Sequence, residues 1–168
     1  MKPALFVQDI QNVWLYEPES NQDLRRSVEK RIDAINGAIT WFRSKKLPVI
    51  VGYTENEAEG VLRGTEGYEV PDSIAIEEGD FKVTKRHANA FASPELGKRL
   101  QSEGCDTIVI LGLSASGCVL ATYFSAFDYD VIPYLLKGCV ASANEEHVRF
   151  AEDICDTITL KDIGDRLM

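Results

Sequence analysis

The chain has 168 residues, enough for one domain with a buried core and too few for two ordinary ones. With 45% hydrophobic and 27% charged residues it has the composition of a globular protein, not of a disordered one. A formal net charge of −9 argues against nucleic acid or an anionic membrane as main partner, because both require Lys/Arg-rich surfaces.

No apolar run approaches the roughly 20 residues that cross a bilayer. The opening segment Met1–Ile10 mimics a signal peptide, but Gln8 and Asp9 interrupt its apolar stretch and no small-residue cleavage site follows. It is predicted to be a first strand. The four cysteines, Cys105, Cys118, Cys139 and Cys155, form neither a C-x-x-C pair nor a metal-spaced cluster with His. The expectation is reduced thiols in the cytoplasm.

In chain order, residues 4–9 are an apolar run of a strand buried on both faces. Residues about 21–46 are predicted as one long helix, since Leu24, Val28, Ile32, Ile35, Ile39 and Phe42 recur at steps of three and four. Ser20 with Asp23 resembles a capping box at its start, and Pro48 marks its far boundary. Pro48–Tyr53 is a second buried strand. Thr54–Asp80 is a long connection rich in Gly and Glu, and long connections of this kind often wall a functional site.

Phe81–Thr84 is a short third strand ending at Lys85. Ser93-Pro94-Glu95 opens a helix that stops at Gly104. Thr107–Leu113 is a strand, followed by a helix whose predicted buried stripe is Val119, Leu120, Tyr123, Phe124 and Phe127. Val131–Leu136 is a strand, Ser142–Cys155 a helix and Thr157–Leu160 a last strand. This alternation predicts a single α/β domain over residues 1–168, three layers deep, with a parallel sheet and right-handed crossovers.

Ligands of such sheets bind outside the C-terminal strand ends, at the point where strand order reverses. The first strand ends in Asp9, the third in Lys85, and the fourth leads through Gly112-Leu113-Ser114-Ala115-Ser116-Gly117 to Cys118. A carboxylate, an ammonium and a thiol therefore meet on one rim. A thiol at a helix start is favoured as thiolate by the helix dipole. Asp9 is placed to take its proton, and Lys85 supplies the cation that lets two anions coexist. The N–H groups of Ser114 and Cys118 are candidate donors to the oxyanion of a tetrahedral intermediate. Taken singly, each residue has a plain alternative: packing for Cys118, a turn for Asp9, a solvated charge for Lys85.

These motifs resemble the isochorismatase-like cysteine hydrolases, a family that includes nicotinamidases and other small amidases. The resemblance runs through Ala4–Asn12, Gly64–Val70, Lys85–Phe91, and Gly112–Val119 with Thr122, Ala126 and Tyr129-Asp130-Val131. It implies an Asp9–Lys85–Cys118 triad and a six-stranded parallel sheet in Rossmann-like order 3-2-1-4-5-6. It also implies a cis peptide just before Ser114, a small-molecule substrate with an amide-like C–N bond, and a homo-oligomer, dimer or tetramer.

The chain departs from the family in having Ala115 where Thr is usual. Gly52–Glu57 has none of the His residues with which nicotinamidases bind a metal, so neither metal nor cofactor is expected. Alternatives are hydrolysis of an isochorismate-like vinyl ether, which need not use the thiol, and a non-catalytic binding member of the fold.

Gly112 to Gly117 has the spacing of a phosphate loop, but Cys118 stands where Lys is required. Ser114 and Ser116 are near misses to a serine nucleophile elbow. Trp14, Tyr53, His87 and Phe91 are candidate walls of a substrate pocket, since aromatic walls are usual around small ligands. His147 and the other three cysteines are assigned to structure.

Overall fold

The computed structural model describes residues 1–168. Its strands are β1 (Pro3–Gln8), β2 (Val49–Thr54), β3 (Phe81–Lys85), β4 (Thr107–Gly112), β5 (Ile132–Val140) and β6 (Thr157–Ile158). They form one sheet in the order β3-β2-β1-β4-β5-β6, every pair parallel. Side chains alternate across it. Leu5 and Val7 of β1 with Val109 and Leu111 of β4 enter one core; Ala4 and Phe6 with Ile108 and Ile110 enter the other. Both faces are covered, which is why these strands are apolar without a polar alternation.

The first core is closed by α2 (Gln22–Glu29), α3 (Ile32–Ser44) and α7 (Leu160–Arg166), through Val28, Ile35, Ile39, Phe42, Ile163 and Leu167. The second is closed by α4 (Pro94–Ser102), α5 (Leu120–Ala126) and α6 (Glu145–Ile154), through Leu96, Leu100, Tyr123, Ala126, Val148 and Ala151. Side chains such as Phe42 and Ile39, fully buried, contribute about 1.5–3 kcal/mol each. The short α1 (Asn12–Leu15) follows β1.

Four local expectations are corrected. The helix predicted over 21–46 is two helices, broken at Lys30 and Arg31, where the Arg31 side chain bonds the Ser27 carbonyl and Glu145. Its start is capped by Asn21, which accepts from the Asp23 and Leu24 N–H groups, and Ser20 has no part in it. Phe124 and Phe127 are exposed, because Thr122, Tyr123 and Ala126 form the inward face of α5. Finally, Leu160 begins α7 and is not strand: Thr159 and Asp162 form a reciprocal capping box that starts a helix there.

β4 ends where the ladder with β5 shifts register, from Ile110↔Leu135 to Gly112↔Val140. Gly112 has φ +114°, and a Cβ on it would lie 2.1 Å from the Gln8 carbonyl oxygen. Only glycine lets β4 pass β1 this closely while turning into the loop that carries Cys118. Gly112→Ala should therefore cost more than about 3 kcal/mol, beyond ordinary glycine effects. Exposed Gly37 in α3, whose added Cβ meets nothing within 4 Å, should tolerate Ala with a gain of about 0.5–1 kcal/mol. Urea unfolding midpoints of the two variants check both signs.

Candidate active site

From β1 the chain moves outward to β2 and β3 and then returns to β4 on β1's other side. The crevice therefore lies beyond the ends of β1 and β4. Asp9 leaves β1 in the left-handed region at φ +56°, a conformation that Asp tolerates better than most residues, and its N–H is held by the Gly52 carbonyl at 3.1 Å. Lys85 closes β3 and reaches back across the end of β2. Its Nζ lies 3.0 Å from Asp9 Oδ2 and donates to Thr54 Oγ1 at 3.0 Å and to the His87 carbonyl at 2.9 Å. Thr54 in turn donates to Asp9 Oδ1 at 3.0 Å. Thr54 thus bridges the two charges.

Lys85 is 1% exposed and Asp9 3%. An ion pair this deep is held only because its polar atoms are met nearly one for one. Asp9 Oδ2 faces the Lys85 ammonium on one side and the Cys118 thiol on the other. Burial outweighs Lys85 and Thr54, so the Asp9 carboxyl is held above its ordinary 3.8.

Cys118 stands beside both groups, partly exposed, in the turn of helix at Ala115–Val119. Here an expectation reverses. Burial, then the Asp9 charge, push the thiol up to about 11, and Lys85 offsets only part of this. The helix start does not produce a resting thiolate; the sulfur is a thiol with a buried carboxylate next to it.

The peptide bond between Leu113 and Ser114 is cis. The Ser114 N–H has no acceptor within the protein, while the Ala115 N–H is taken by the Ala141 carbonyl at 2.9 Å. A cavity of about 330 Å³ opens over Asp9, Lys85, Ser114 and Cys118. Trp14 and His87 line it, as do Leu24, Asn56, Glu59 and Arg86. Beyond Trp14, Leu24 and Glu59 it meets a wider groove of about 770 Å³ that carries Glu17, Glu19 and Glu66.

Tyr53 and Phe91 do not line the cavity and are corrected as pocket residues. Tyr53 faces the first core and stacks on Tyr68 at 5.0 Å; its strand neighbour Thr54 faces the site instead. Phe91 is buried in the second core and stacks on Tyr129 at 4.9 Å.

The sequence singled out neither Thr54 nor Gln11 as a site residue, although Thr54 lies one residue past the predicted end of the second strand and Gln11 two residues past Asp9. Gln11 is fully buried and clamps β2 to the long connection, bonding the Thr54 N–H and carbonyl and the Tyr68 carbonyl. No three His, Cys, Asp or Glu side chains gather where they could share a metal ion. Glu55, the acidic residue after β2, is paired with Arg63 and Arg86. A nicotinamidase-type metal set does not fit these residues.

Residues 3–155 match the isochorismatase domain. This chain belongs to the isochorismatase family. The isochorismatase fold is equally plain in three dimensions: an isochorismatase-like hydrolase of Alkaliphilus metalliredigens superposes with TM-score 0.86 at 20% identity, covering 100% of both chains.

Among sequence relatives, an Arabidopsis thaliana protein described as a "probable inactive nicotinamidase" is 30% identical over 115 residues, 67% of this chain and 56% of that one. A maleamate amidohydrolase of Pseudomonas putida is 28% identical over 75 residues, 45% of this chain and 35% of that one. The aligned stretches thus span about half or less of these two relatives. Two of the three are described as hydrolases and the third as inactive.

Alkylation of Cys118 by iodoacetamide, followed by peptide mass spectrometry, reads the thiol directly. The rate should climb with pH toward a midpoint about 11, and Asp9→Asn, by removing the adjacent negative charge, should move the profile to lower pH. A wild-type midpoint at the ordinary thiol value of about 8.5 contradicts this electrostatic description.

Proposed function

We propose that the protein is a metal-independent amidohydrolase that forms an acyl-enzyme on Cys118 with a small amide. The observation that carries this reading is a buried Asp9 carboxylate, paired with Lys85 at 3.0 Å and set beside a neutral thiol. Because the thiol is pushed up, it needs a base at the moment of attack, and because Asp9 is also pushed up, it is a stronger base than a solvated carboxylate.

In the proposed cycle Asp9 takes the Cys118 proton as the sulfur bonds to the amide carbon, and the carbonyl electron pair moves onto oxygen. The N–H groups of Ser114 and Cys118 hold that oxyanion. Its collapse breaks the C–N bond, and Asp9 passes the proton to the departing nitrogen, so ammonia or an amine leaves and a thioester remains. Water then gives a proton to Asp9, its oxygen attacks the thioester, and the thiolate leaves and recovers the proton. Lys85 keeps Asp9 ionised and offsets the charge passing over sulfur. Trp14, Leu24 and His87 are the proposed walls for the substrate. The reading includes a cytoplasmic homo-oligomer, from the family resemblance and the four free thiols.

One relative described as inactive keeps a second reading in view, a non-catalytic binding member of the fold. Ammonia release from a panel of neutral, cationic and anionic small amides separates the two. Wild-type protein should turn over at least one of them. Cys118→Ala, Asp9→Asn and Lys85→Ala should each lose at least about 10³-fold, the scale on which removal of one member of a nucleophile–base set acts. Asp9→Asn and Lys85→Ala should also be destabilised by about 3–5 kcal/mol, so they are assayed at a temperature where circular dichroism shows them folded. Undiminished turnover by Cys118→Ala overturns the acyl-enzyme; absence of turnover across the panel, with an intact thiol, favours the binder.

A further inference from the structure

Behind the loop that carries Ser114 and Cys118 lies a polar relay, buried at Ser27 and Ser142 and reaching the surface at Glu145, that the proposed chemistry does not use. The Ala115 N–H bonds the Ala141 carbonyl at 2.9 Å, and the Ala141 N–H bonds the Gly112 carbonyl at 2.8 Å, so residues 141–142 are the floor of the loop. Ser114 Oγ also donates to Ser142 Oγ at 3.5 Å. The floor is anchored from outside the sheet. The Ser142 N–H donates at 3.1 Å to Oγ of Ser27, a serine on α2 that is 2% exposed.

Ser27 Oγ is fully engaged. It accepts from the Ser142 N–H and from Arg31 at 2.8 Å, and it donates to Glu145 Oε1 at 2.7 Å. Glu145, the first residue of α6, is forked by Arg31 at 3.0 and 2.7 Å and touched by Lys30 at 2.9 Å. The break between α2 and α3 thus places two cations where they fix one carboxylate, and that carboxylate fixes the Ser27 hydroxyl. One turn earlier on the same face of α2 is Leu24, a wall of the catalytic cavity. A single helix therefore touches both the substrate space and the underside of the loop.

We propose that Ser27, locked by Arg31 and Glu145, is a positioning residue that sets the Ser114–Cys118 loop for oxyanion binding. The proposal rests on the reading of Cys118 as nucleophile. Ser27 contacts neither Asp9, Lys85 nor the sulfur, so its loss should disturb stabilisation of the oxyanion without changing the reactivity of the thiol.

Two probes separate these effects without a known substrate. Propanal adds the thiol across its carbonyl: sulfur bonds to carbon, the carbonyl electron pair moves to oxygen, and that oxygen takes the thiol proton. The resulting hemithioacetal oxygen occupies the oxyanion position. Iodoacetamide instead forms a sulfur–carbon bond by expelling iodide and builds no such oxygen. Propanal affinity is read from protection of Cys118 against alkylation.

Ser27→Ala should weaken propanal binding by roughly tenfold or more while the alkylation rate without propanal stays within about twofold of wild type. Ser27→Thr, which keeps the hydroxyl, should restore most of the affinity. Should Ser27→Ala fail to fold, Glu145→Gln, which loosens the same anchor from the protein surface, should show the same split. Unchanged propanal affinity, or a parallel loss of affinity and alkylation, overturns the assignment. Wild-type protein that alkylates at Cys118 but gains no protection from propanal overturns the nucleophile reading and the assignment with it.

Discussion

The site depends on a salt bridge that water hardly reaches. An ammonium and a carboxylate so deeply buried are each untenable alone, since removal of either partner strands the other in a medium that cannot solvate it. Asp9 and Lys85 come from strands that are not neighbours; β2 lies between them, and Thr54 at its end joins the two with one hydroxyl. The pair is therefore also a statement about the sheet: three parallel strands must end at one level for it to exist. The positive φ of Asp9 follows from the same demand, because the carboxylate must turn back over the strand ends.

The low-dielectric setting that makes the pair costly to lose also shapes its chemistry. Burial holds Asp9 above the ordinary carboxylate range and pushes Cys118 up to about 11. The thiol therefore rests protonated, and in the proposed reaction it gives its proton to the neighbouring carboxylate only at the moment of attack. Lys85 moderates both groups and does not ionise the thiol outright. In the proposed reaction the negative charge passes from carboxylate to sulfur to carbonyl oxygen within reach of one fixed cation.

Much of this architecture was legible in the amino-acid order. Apolar runs without alternation announced strands buried on both faces, and helical periods between them announced a parallel sheet. Asp9, Lys85 and the Gly112–Cys118 segment stood out because polar residues terminated those runs. The helix break at Lys30 and Arg31 was not legible, since Val28, Ile32 and Ile35 keep helical spacing across it; a partner on α6, remote in sequence, decides it. Tyr53 and Thr54 differ by one position on a strand, and one position moves a side chain from one face to the other. Phe91 follows the Lys85 segment in sequence, yet the turn at Ala90–Ala92 buries it in the second core. The thiol's electrostatics could not be read from its place at a helix start, because depth of burial and the distance to Asp9 are properties of the fold.

A sulfur–carbon bond formed during turnover leaves added mass on one peptide. Protein quenched in acid while hydrolysing its best amide, then digested and weighed, reveals that mass. The peptide bearing Cys118 should gain the mass of the substrate's acyl group, and the increment should vanish once substrate is exhausted. Ongoing hydrolysis with that peptide always at its unmodified mass, or with the acyl group on another residue, rules out Cys118 as the nucleophile.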